Sequence, residues 1–281
     1  MLQRKKLWAS MQAVTLAGIV TLEGCSTENE PAPTPEKPVK SAEAEKPATQ
    51  HVMPEGEGEG EGEGANPTID LATDDLAYLT QLALMRGHLY VGFELYQAGH
   101  IDHSKTHMKH PKSELYADVV PAFTARGAMG FADELSALSQ TVEAEKPAED
   151  VTQAYQQLQQ AITASESKVD PGMASLKQKL LLVVNLLRVA GEEYGIAVVD
   201  GKMENAHEYQ DALGFTTISK DILSNTETGT ETEANAKTKA TEILAELNGL
   251  WPSIVPPETL TTEAGQLYGA ASRIEIIALG L

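Results

Sequence analysis

The sequence predicts an all-α protein, an antiparallel helical bundle that follows an N-terminal leader and a disordered linker. Three observations predict it. Beyond about residue 70, apolar residues recur at intervals of three and four through most of the chain, the period of a helix with a buried stripe. No run of alternating β-branched residues between turn signals competes with them. Breaks at Gly127, Pro147, Pro171, Gly229 and Pro256-Pro257 cut the periodic stretches to bundle-helix lengths.

The first element is the leader. Met1 to Lys6 is short and basic, the run Leu7 to Leu22 is apolar, and Glu23-Gly24-Cys25 follows. Such an order reads as a secretory signal over residues 1–24, because the apolar run falls short of the roughly 20 residues of a spanning helix. The ending Leu22-Glu23-Gly24-Cys25 resembles the lipobox of bacterial lipoproteins, although Glu23 is unusual at its position. That resemblance implies that Cys25 is lipidated and anchors the chain to a membrane. In the sorting it implies, Ser26 directs the protein to the periplasmic face of the outer membrane. Cys25 is the only cysteine, so neither an intramolecular disulfide nor a thiolate-rich metal site is available.

Residues 25–67 are rich in Pro, Glu and Ala and end in five Glu-Gly repeats from Glu55 to Gly64. This composition buries too little apolar surface to offset chain ordering, so it is expected to be a disordered tether. About 40 such residues have a root-mean-square reach on the order of 35 Å. Removing residues 1–24 takes away three basic residues and one acid, which moves the formal charge from −20 to −22. A surface this acidic argues against nucleic acid and anionic lipid as partners and favours cations.

Residues 68–281 remain for folding, as one bundle or as two subdomains split near residue 145. Thr73-Asp74-Asp75 marks a helix start with Thr73 as N-cap, and Leu76 to Leu95 supplies apolar residues on nearly every side, as expected of a central helix. A second long helix runs from about Met173 to Val199, stopped by Asp200-Gly201. Others are expected near residues 112–125, 128–143, 149–166, 204–224, 231–249 and 258–279.

Four of the seven histidines fall between Ala98 and His110. In a helix, His100, His103, His107 and His110 share an arc of roughly 80°. Imidazole is the commonest metal ligand, and an i,i+4 pair such as His103/His107 can chelate one ion from a single turn. Because Pro111 disfavours helical backbone at the residue before it, His110 is expected to cap a following helix, with Glu114 one turn further on as another ligand. A solvated face interrupted by Lys105 and Lys109 is the alternative. His88 lies mid-helix in an apolar setting, where it is either a hydrogen-bonded core residue or a ligand; Gly87 and Gly92 beside it permit close helix approach.

A second constellation is Glu204, His207, Glu208 and Asp211, at i, i+3, i+4 and i+7 on one helical face. Of these, Glu204, His207 and Glu208 join the candidate ligands, although the same residues also suit a solvated face. The Glu-x-x-His element occurs on the helices of di-iron carboxylate bundles, but those need two copies, and one is present here.

The words Glu193-Tyr194, Ala197-Val198, Asp200-Gly201, Asn205 and Glu208-Tyr209, followed by Phe215, resemble the periplasmic helical region that precedes the membrane part of some bacterial high-affinity iron permeases. The resemblance spans about 25 residues. The permeases' Arg-Glu-x-x-Glu signature is absent, so what it implies is an envelope module of related build that handles iron. The stretch from Gly87 to Tyr116 also resembles uncharacterised bacterial envelope proteins. Common enzyme signatures are missing: His-Glu-x-x-His, Gly-x-Ser-x-Gly, the phosphate-binding Gly-x-x-x-x-Gly-Lys loop and Cys-x-x-Cys. The expectation is a lipid-anchored envelope protein that binds iron, copper or zinc for uptake, storage or sensing, with an envelope transporter as a possible partner. The alternative is a metal-free helical scaffold that recognises another envelope protein.

Overall fold

A computed structural model describes residues 69–281; the leader, Cys25, the tether and His51 lie outside the described residues. The described part is an antiparallel helical bundle built around α1 (Asp75–Gln97). Its N-cap is Asp74, whose carboxylate accepts from the Ala77 N–H at 2.9 Å. Thr73 was the expected cap, but its hydroxyl donates to the Asp70 carboxylate at 2.9 Å. Tyr78, Leu82, Met85, Leu89, Val91 and Leu95 of α1 are fully buried. Each such side chain contributes about 1.5–3 kcal/mol relative to exposure.

Four helices surround α1: α2 (Ile101–His110), α5 (Ala148–Glu166), α6 (Leu176–Ala197) and α7 (Ala206–Ser224). Between α2 and α5 come α3 (Tyr116–Arg126) and α4 (Ala132–Glu143). The helices α4 and α5 are amphipathic and pack together; α4 buries Leu135, Leu138 and Val142, and α5 buries Val151, Ala154, Leu158 and Ile162. After α7 follow α8 (Glu231–Glu246), begun by a reciprocal Thr230/Glu233 capping box, and α9 (Gly265–Leu279) against α6. Most of the buried apolar side chains from Leu71 to Ala278 form one cluster, with Val142 and Val151 on either side of residue 145 both in it.

The all-helical expectation misses one small feature. A two-stranded ribbon, β1 (Val198–Val199) and β2 (Lys202–Met203), reverses the chain between α6 and α7. Asp200 and Gly201 both have positive φ, +51° and +75°, as a type I′ hairpin turn requires. The last helix also starts later than the expected residue 258. Residues 251–264 carry Pro252, Pro256 and Pro257, and 258–260 of them pair with the ribbon, where the Met203 N–H donates to Glu258 O and the Leu260 N–H to Gly201 O, both at 2.9 Å.

The contact between α1 and α7 sets the geometry that follows. A Cβ on Gly214 would stand 2.5 Å from the Gly87 carbonyl oxygen, and one on Gly87 would stand 2.4 Å from the Phe215 ring. The two backbones therefore touch, and the residues flanking the glycines, His88 on α1 and Asp211 one turn earlier on α7, are brought together.

Candidate metal centre

Three helices deliver two ligand groups that share Asp211 of α7: His88 of α1 with His110 of α2, and His107 of α2 with His207 of α7. His88, His107 and Asp211 are fully buried, while the His207 side chain retains 21% exposure. His88 Nδ1 lies 2.6 Å from Asp211 Oδ1, and His107 Nδ1 lies 3.0 Å from the same oxygen. His207 Nδ1 lies 3.0 Å from Asp211 Oδ2. The His107 and His207 rings stack at 3.9 Å, and His110 stacks on His88 at 4.9 Å and on His207 at 5.7 Å.

Local structure explains how each residue arrives. Gly92 leaves room for α2 to lie on α1, and the Ser104 hydroxyl donates to Gly92 O at 2.6 Å, which pins α2 one turn before His107. His110 has helical backbone, φ −52° and ψ −56°, contrary to the expected non-helical cap. Here α2 runs straight into a π turn, Pro111–Leu115, and then into α3. The wider π turn accommodates Pro111, which has no N–H to offer the α-helical ladder, and such turns favour functional positions. On α7, Asn205 caps the helix by accepting from the His207 N–H at 3.0 Å, and the i,i+4 spacing puts His207 over Asp211.

Several expected ligands are placed elsewhere. His100 is the exposed N-cap of α2, and His103 is half-buried one turn before His107. Both share the helical face of His107 and His110, but neither belongs to the His/Asp groups around Asp211. Sharing a face is not sharing a site. Glu204 is exposed and precedes the α7 cap, whereas Glu208 is buried, with Asn205 Nδ2 at 3.4 Å, and is outside the His/Asp groups. The side chain of Glu114 is outside the described part. Asp211, which the sequence places at the end of a face that also suits solvent, is instead the hub; its i,i+4 relation to His207 was the available signal.

Electrostatics distinguish the residues. Burial would raise the Asp211 carboxyl, but facing His88 and His107, and contacts from His107 and His207, hold it well below the usual carboxylate range. Burial lowers His107, and the pull of Asp211 does not offset it. Burial also acts to lower His207, but the contact with Asp211 and its charge outweigh burial and raise it. Without an ion, then, Asp211 is anionic, and of the stacked pair His207 takes a proton before His107.

The donor set fits a metal. In each of the two groups the ligand atoms lie within 4.8 Å of one another, close enough for one ion to reach them. Imidazoles with one carboxylate suit zinc, copper, nickel or iron better than the all-oxygen ions calcium and magnesium.

Residues 170–277 match the family model described as the iron permease-associated 4-helix bundle domain. The match contains the words from Glu193 to Phe215 that carried the sequence resemblance, and it includes His207 and Asp211. His88, His107 and His110 precede it, so the cluster is assembled from both the matched bundle and the helices before it. No curated protein and no solved structure matches the chain. Among the described residues, no helix is long and apolar enough to cross a membrane.

Proposed function

We propose that this protein binds a divalent metal ion, ferrous iron, copper or zinc, between α1, α2 and α7. Its ligands are drawn from His88, His107, His110, His207 and Asp211. The observation that carries this reading is the convergence of four imidazoles on a fully buried carboxylate. A cation would balance the charge of the buried carboxylate and take up the lone pairs of neutral imidazoles beside it. The match of residues 170–277 to an iron permease-associated domain favours iron as the cargo and an envelope transporter as the partner. Lipidation at Cys25, with residues 26–67 as tether, would hold the bundle at the periplasmic face of a membrane. Uptake, storage and sensing remain as roles compatible with such a site.

Calorimetric titration of tag-free protein with zinc, cupric and anaerobic ferrous ions tests the proposal. The parent and His100→Ala should bind with equal affinity, whereas His107→Ala and Asp211→Asn should bind at least tenfold more weakly. Equal, weak binding by all four proteins would refute it and leave the metal-free scaffold as the better reading.

A further inference from the structure

Gln210 is fully buried between the site and the 251–264 segment. Its Nε2 lies 3.1 Å from the Ile254 carbonyl oxygen, and its Oε1 lies 2.9 Å from His107 Nε2. A carbonyl oxygen only accepts, so the amide nitrogen must face Ile254 and the amide oxygen must face His107. An amide oxygen also only accepts. His107 Nε2 therefore carries the hydrogen, and in the neutral imidazole, the form that binds metal, the lone pair is on Nδ1. That nitrogen lies 3.0 Å from Asp211 Oδ1 without the alignment of a hydrogen bond. Two acceptors facing each other at this distance repel unless a cation lies between them.

We propose that Gln210 is the positioning residue of the site: anchored on Ile254, it fixes His107 in the Nε2–H tautomer and makes it an Nδ1 ligand. The inference rests on the metal reading of the cluster. It assigns residues beyond the ligands themselves a part in binding, because the backbone at Ile254 holds the amide that orients His107. The neighbouring Tyr209 hydroxyl donates to Ser253 O at 2.9 Å, so two consecutive residues of α7 grip the same segment.

The test uses the full chain without a tag. Long-range proton–nitrogen correlation of the imidazoles in metal-free protein should show one His107 tautomer, with a pyrrole-type Nε2 and a pyridine-type Nδ1. Gln210→Met keeps the volume and removes both hydrogen bonds. It should show mixed tautomers and bind zinc about 10–100-fold more weakly, the usual effect of removing a partner behind a ligand histidine. Gln210→Glu keeps an acceptor for His107 but, ionised, cannot donate to the Ile254 carbonyl, so it should keep the Nε2–H tautomer and recover only part of the zinc affinity lost in Gln210→Met. An Nδ1–H tautomer in the parent, or parent-like tautomer and zinc affinity in Gln210→Met, would overturn the proposal. A parent that shows the Nε2–H tautomer but takes up no zinc overturns the metal reading while leaving the hydrogen-bond assignment standing.

Discussion

Gly214→Ala probes the contact on which the site is built. An added Cβ would lie 2.5 Å from the Gly87 carbonyl oxygen, 2.8 Å from its carbon and 2.9 Å from Val91 Cγ2. Ordinary contact begins at 3.4 Å, so α1 and α7 must separate by about 0.9 Å, and two of the three obstacles are backbone atoms that no rotamer change can move. Overpacking of this kind costs about 1–3 kcal/mol, against which alanine regains about 0.8–1 kcal/mol of helix propensity. The upper half of the range applies because the backbone is rigid, which leaves a net loss of about 1–2 kcal/mol. For a domain of roughly 200 residues this lowers Tm by about 2–8 °C. Gly269→Ala on α9 is the control, since its Cβ meets nothing within 4 Å; it should raise stability by about 0.5–1 kcal/mol. Thermal unfolding of metal-free parent and both variants, followed by circular dichroism, makes the comparison. Parent-like or higher stability in Gly214→Ala would refute the claim that the α1 and α7 backbones meet there.

Further outcomes are expected at other positions. Zinc affinity should weaken on acidification, starting above pH 6.5 because the His207 pKa is raised, while His107, whose pKa is lowered, stays neutral further down; titrations from pH 8 to 5 check this. Asp75 contributes stability of the same sign as other depressed carboxylates. Burial opposes its ionisation, but the Arg126 guanidinium and the Asp170 N–H outweigh it, so its contribution is present above pH 3.8 and lost as pH falls through the lower folded value. Arg126 also lies over the Tyr78 ring at 4.3 Å, and Arg126→Ala should cost about 2 kcal/mol at pH 7 in urea unfolding. Cys25→Ala should move the protein from the membrane fraction to the soluble periplasm, and retention in the membrane would contradict lipidation.

Much of the fold was legible because it rests on local signals. The all-round apolar pattern of Leu76 to Leu95 gives a central helix, and Asp200-Gly201 marks the end of α6. Features set by tertiary contacts were not legible. Residues 258–260 follow Pro257 with no further helix breaker, yet they stay out of a helix and pair with the ribbon. The site was half legible. His107 and His110 stood out by composition, but which members of the stripe reach the centre depends on where α7 crosses, information held by Gly87 and Gly214 rather than by the histidines. Asp211 and Gln210 were hidden for a related reason: a short run with Glu204 and Glu208 also suits a solvated helix face, and only the packing of α7 against α1 and α2 turns the far end of that face inward.

Anomalous diffraction from crystals of the protein loaded with zinc tests the central claim most directly. The account predicts a peak among the three helices, about 2.0–2.2 Å from His107 Nδ1 and from an Asp211 carboxylate oxygen. Peaks confined to His100 and His103, or none at the buried cluster, would contradict it.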